Sequence, residues 1–121
     1  MSAGKKPTAT NAPQSGSIER VFDQWAEGDY PTLLRVDRAV TVDVARVFPP
    51  PCARKDELPL GLKASGLWLE PRMLGRQVAW LRRADGDWLG CVQMPAGSAN
   101  KRSKLLMTLW LPPEAFVVEA Q

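Results

Sequence analysis

Between Arg72 and Lys104 the chain carries seven cations, Arg72, Arg76, Arg82, Arg83, Lys101, Arg102 and Lys104, against only Asp85 and Asp87. Trp80, Trp88 and Trp110 are interleaved with them. Cations meet phosphates and indole faces stack on bases, so this mixture has the chemistry of a nucleic-acid surface. A quieter reading of the same residues is open. Trp80 then belongs to a core, Arg83 covers Trp88 through a cation–π contact, and the loop from Asn100 to Lys104 is simply solvated.

Catalytic chemistry finds less to work with. The chain has no histidine, which removes the commonest general base, the commonest metal ligand and the usual activator of Ser or Cys. Cys52 and Cys91 are the only cysteines; they allow one disulfide at most and fall short of an ordinary zinc site. Asp85 and Asp87 are a close carboxylate pair, but they flank Gly86 where a turn is expected, and turns select Asp for their own reasons. No phosphate-cradling glycine loop, nucleophile elbow or metal-ligand cluster is present. The expectation is a non-enzyme with no cofactor and no metal.

The elements that must position these residues read as follows. Residues 1–17 hold no large apolar side chain except Met1 and are expected to form a disordered polar tail. Over 18–28, Ile18, Val21, Phe22 and Trp25 fall at helical spacing behind Ser17, with Gly28 placed to end a short amphipathic helix that packs on the rest. From 32 to 119 the pattern is that of a small β domain. Leu34, Val36, Val40, Val42 and Val44 alternate with polar residues, and Arg38 at the interior phase indicates a bend or bulge. Phe48-Pro49-Pro50-Pro51 stops that strand as a stiff connector. Residues 58–65 read as an edge strand or a loop, and Leu67-Trp68-Leu69 as a strand.

Residues 77–83 and 88–94 are two strands about Asp85-Gly86, a strong hairpin signal. A two-residue turn there would pair Arg83 with Trp88, Leu81 with Gly90 and Ala79 with Val92, leaving both hairpin faces apolar. A polar loop over 95–103 leads to a strand over 104–111, then one proline-led helical turn at Pro112-Pro113-Glu114-Ala115-Phe116 and a short last strand. Ala84-Asp85-Gly86-Asp87-Trp88-Leu89 and Leu111-Pro112-Pro113-Glu114-Ala115-Phe116-Val117-Val118 together resemble an SH3-like small barrel over about a third of the chain. The resemblance implies five or six antiparallel strands. It also sets Trp88 and Pro113 at positions that line the ligand groove of peptide-binding SH3 domains, with Phe116 where those domains usually carry tyrosine. The valine-rich strand over 38–47 replaces their tyrosine-rich first strand, so the likeness is one of fold. A barrel like those that bind oligonucleotides is the architectural rival.

The reading that follows is a binding module. Its first-choice partner is nucleic acid or a nucleoprotein, held by Arg76, Arg82, Arg83, Trp88, Lys101, Arg102, Lys104 and Trp110. The alternative is a protein partner, as for an adaptor or inhibitor, on an exposed aromatic face, with self-association into a homo-oligomer as a further possibility. No apolar run approaches the ~20 residues a membrane span requires, so no membrane role is expected and the expected location is the cytoplasm.

Overall fold

Val40 and Val42 are fully buried one side of a strand while Thr41 between them is half-buried, the period-two signature of a sheet with one face on a core. The computed structural model describes residues 21–22, 24–26, 28–51 and 58–119. The chain divides into two units, Met1–Pro31 and Thr32–Gln121. The expected tail over 1–17, and residues 18–20, 23 and 27 of the expected helix over 18–28, lie outside the described residues. In the first unit the Trp25 amide donates to the Phe22 carbonyl at 3.1 Å, with Phe22 buried and Val21 and Trp25 exposed.

The second unit is mainly β. Its elements are β1 (Leu33–Asp43), α1 (Val44–Val47), α2 (Leu60–Ser65), β2 (Leu67–Trp68), β3 (Arg72–Arg82), β4 (Trp88–Ser98), β5 (Lys104–Leu111), a 3-10 turn (Pro113–Ala115) and β6 (Phe116–Val118). All described strand pairs are antiparallel and form one six-stranded sheet in the order β6–β1–β3–β4, with β2 and β5 on opposite edges of β4. The expected barrel does not close, because β5 and β6, which would have to meet, are not paired with each other. Pro112 and Pro113 between them carry no N–H and interrupt the ladder.

Val40, Val42, Val44, Val92, Met94, Leu111, Ala115 and Phe116 form the core, with Trp80, Met73, Met107 and Leu109 packed against it. Each large member contributes on the order of 1.5–3 kcal/mol on burial. Val78, Ala79 and Cys91 are buried as well but stand outside that cluster, so both faces are covered at the centre of the β3–β4 hairpin.

Three local expectations are corrected. The first strand ends at Asp43, and residues 44–47 form a helical turn closed by the Phe48 amide donating to the Val44 carbonyl at 2.7 Å. Residues 60–65 are helical, not an edge strand or loop: Pro59, with φ −60°, presets the entry, and the Lys63 amide donates to its carbonyl at 3.1 Å. The period-two leucines 58, 60 and 62 mimic a strand, yet all three are exposed and no sheet face selects them. The third correction is the hairpin. The Gly86 amide donates to the Arg83 carbonyl at 2.9 Å and the Arg83 amide to the Asp87 carbonyl at 2.7 Å, with Gly86 at φ 96°. The loop is therefore Ala84-Asp85-Gly86, a β-turn followed by a left-handed glycine.

One extra loop residue shifts the register by one. Arg82 pairs with Trp88, Leu81 with Leu89, Trp80 with Gly90 and Ala79 with Cys91. Trp80 thereby joins the core-facing row of Gly90, Val92 and Met94. The β1–β3 register shifts between Arg35 and Arg38, and the β3–β4 register between Gln77 and Ala79. Both irregularities fall at the level of Val78, and there the expected bulge at Arg38 is found.

Candidate nucleic-acid interface

The bulge turns Arg38 inward over the Trp80 ring, 5.7 Å from its centroid, where its Nε donates to Gln77 Oε1 at 2.8 Å. Gln77 is fully buried and donates from Nε2 to the Ala79 carbonyl at 3.0 Å, so its amide is satisfied at both ends. Trp80 lies edge-on to Trp88 at 6.4 Å and tilted against Phe116 at 5.7 Å. Arg82 covers Trp88 at 5.4 Å and donates from Nε to the Gly86 carbonyl at 3.2 Å. The cation over Trp88 is thus Arg82 rather than Arg83, a direct result of the one-residue register shift.

The remaining expected site residues do not share that surface. Arg83 is paired with Asp85 at 2.7 Å across the turn, and Asp85 also accepts from the Asp87 amide at 3.1 Å. Arg76 is paired with Asp37 at 2.7 Å. Trp110 pairs opposite Cys91, in the β4 phase alternate to Trp88, so the two tryptophans expected to hold the same nucleic-acid partner lie on opposite faces of the sheet. Lys101 and Arg102 sit beyond the far end of β4 and Lys104 beside Gly97 near that end, about 33 Å along the strand from the hairpin turn at ~3.3 Å per residue.

At that far end the electrostatics change. Lys101, Arg102 and Lys104 are exposed, as is Lys63 on α2, and none of the four forms an ion pair among the described residues. The loop that carries three of them is well tied. Its Ala99 amide donates to the Gly66 carbonyl at 3.0 Å and its Asn100 amide to the Ala64 carbonyl at 2.8 Å, which fastens it to the end of α2. Ser98 is buried; its hydroxyl donates to Asn100 Oδ1 at 2.7 Å and accepts from the Ser103 amide at 3.0 Å. Lys101 takes φ 65° to complete the turn.

An aromatic that the sequence reading left unassigned stands at this end. Trp68 pairs with Gly97, which on its other side pairs with Lys104, so Trp68, Gly97 and Lys104 form one row across β2, β4 and β5. Two strand spacings separate the outer members, about 10 Å. Trp68 is 56% exposed, and its Nε1 donates to Glu70 Oε2 at 3.4 Å. It lines an open groove of about 580 Å³ with Phe48, Pro49, Pro50, Pro51 and Leu67. A smaller cavity of about 160 Å³, lined by Ser65, Ser98, Ser103 and Lys104 among others, adjoins it through Leu67. Trp68 was legible as a strand residue; its nearness to the loop cations depends on the helical turn at 60–65, whose sequence signal was ambiguous.

Among the described residues there is no group of three or more His, Cys, Asp or Glu side chains placed to hold a metal. Burial pushes the Cys91 thiol up to about 11, which keeps it protonated and unreactive. Among the described residues no helix is long and apolar enough to cross a membrane. No protein-family model, curated protein or solved structure matches the chain.

Proposed function

We propose that this chain is a non-catalytic binding module of SH3-like type that holds single-stranded nucleic acid, or a nucleoprotein, at the β2–β4–β5 end of its sheet. The fold reading is supported by the succession β1, β3, β4, β5, each antiparallel to the next, and by a 3-10 turn that returns β6 beside β1. The functional reading is carried by one observation: four cations that form no ion pair among the described residues, Lys63, Lys101, Arg102 and Lys104, gather at the end of the sheet that carries an exposed indole, Trp68. Phosphates neutralise the cations and a base stacks on the indole. The arginines of the opposite end are spent on Asp37, on Asp85 and on the face of Trp88. They serve the fold in this reading, as does Trp88. The reading without catalysis rests on the lack of histidine and on the structural work of Asp85 in its turn.

Fluorescence anisotropy of a labelled single-stranded oligonucleotide, at 50 and 200 mM salt, tests this. Four phosphate contacts give a slope near −0.7 per contact, hence roughly 50-fold weaker binding at the higher salt. Replacing Lys101, Arg102 and Lys104 with Gln flattens the slope to that of about one contact, and Trp68→Ala weakens binding while Trp88→Ala lowers the melting temperature instead. Undetectable or salt-independent binding, or an unchanged slope in the triple variant, refutes it. The apolar groove at Phe48, Pro49–Pro51 and Trp68 favours a protein partner as the second reading. That reading expects no oligonucleotide binding in the same titration.

A further inference from the structure

β5 pairs with β4 along one side, and no described strand pairs with its other side. Natural sheet edges are guarded by charge, proline, bulges or shortness, because a row of free backbone donors and acceptors templates another strand. β5 has eight residues and no register shift, and from Leu105 to Leu111 it carries neither a charge nor a proline. Leu105 and Leu106 are 50% and 46% exposed and Trp110 38%.

We infer that β5 is a homodimer interface, where it pairs antiparallel with β5 of a second copy about a two-fold axis at Thr108. The register follows from the sequence. With Thr108 opposite itself, Met107 faces Leu109, Leu106 faces Trp110 and Leu105 faces Leu111, each pair occurring twice. Leu106, 46% exposed, stands opposite Trp110 of the other copy at two places, on either side of a central Thr–Thr pair. Lys104 falls opposite Pro112 of the other copy, so no like charges oppose each other and the missing proline N–H lies past the end of the ladder. This self-complementarity is what selects a second copy over an unrelated strand. The pairing leaves Lys101 and Arg102 outside the ladder in both copies.

Cross-linking tests the axis directly. At a two-fold axis the two Thr108 Cα atoms stand about 4.5–5.5 Å apart, within disulfide reach. In a Cys52→Ser background, Thr108→Cys should give a covalent dimer under mild oxidation, while Leu74→Cys, on a residue 68% exposed in β3, stays monomeric. Light scattering of the unmodified chain should show mass rising towards twice the monomer as concentration climbs from about 10 to 500 μM, as for a small edge interface. Leu106→Lys should return it to monomer and, at about 10 μM, where the parent is itself mostly monomer, should melt at the parent's temperature, since Leu106 is exposed. Monomer mass throughout that range, or Thr108→Cys cross-linking no faster than Leu74→Cys, overturns the inference.

Discussion

Replacing Gly90 with Ala probes the packing at the core end of the hairpin. A Cβ at Gly90 would stand 2.5 Å from Phe116 Cζ, 2.8 Å from Cε1 and 3.2 Å from Gln77 Nε2. Carbon atoms in good contact sit about 3.5–4.0 Å apart, so the ring has to retreat by roughly 1 Å. It has little room to do so: Phe116 is 6% exposed and lies against Trp80 at 5.7 Å. Overpacking of this kind costs about 1–3 kcal/mol, and the lower chain entropy of alanine in the unfolded state returns about 0.4–1 kcal/mol. The expected net loss is about 1–2 kcal/mol, a fall in melting temperature of roughly 5–15 °C for a domain of this size. Calorimetry or a circular dichroism melt reads it. Phe116→Leu removes the two ring atoms closest to the new methyl, so the double variant should be more stable than the two single losses added together, with a coupling of at least about 0.5 kcal/mol. A Gly90→Ala melt within about 0.5 kcal/mol of the parent, or strict additivity in that cycle, refutes the packing argument.

Gly86→Ala forces an L side chain to φ 96° and should cost more than about 1 kcal/mol in a denaturant titration; a neutral result contradicts the three-residue turn. Ser98→Ala leaves the Ser103 amide without its acceptor and should cost about 1–3 kcal/mol, with faster amide exchange over 98–103. Cys91 should resist thiol reagents at pH 8 until the chain is unfolded, since burial holds it neutral. Because its folded value is raised from 9.0 to about 11, the stability it contributes is complete below pH 9 and is lost as pH rises through 11. The gap between parent and Cys91→Ala should therefore narrow by about 2–3 kcal/mol across that window, and a constant gap contradicts the assignment.

The β1 valines, the hairpin strands and the proline-led turn before β6 were legible because each rests on local chemistry: alternation, Asp-Gly, and a fixed proline φ. The inward phase of Arg38 likewise announced its bulge. What stayed illegible depends on counting across space. Whether the Asp-Gly turn holds two residues or three is decided by which register lets Trp80 meet Phe116, a residue some 36 positions away. The same single residue reassigns Arg82 and Arg83 between an indole face and a carboxylate. The expected site was split for a related reason. Its cations are neighbours in sequence statistics, yet an eleven-residue strand separates its two halves. Trp68 was overlooked because Lys101, Arg102 and Lys104 lie more than thirty residues further along the chain; its place beside Lys104 comes from Gly97, which both residues flank.

The bonds that fasten residues 98–103 to each other and to α2 bear on recognition in a way that charge alone does not. Lys101 and Arg102 stand on backbone whose position is set before any ligand arrives, by the Ser98 hydroxyl and by carbonyls of Ala64 and Gly66. On the proposed function, a partner there would have to immobilise only side chains, at about 0.5–1.5 kcal/mol each, with no loop to order. The fixed spacing of these backbone positions would, on the proposed function, favour ligands whose negative charges already repeat at a matching interval over ligands that must fold to present them.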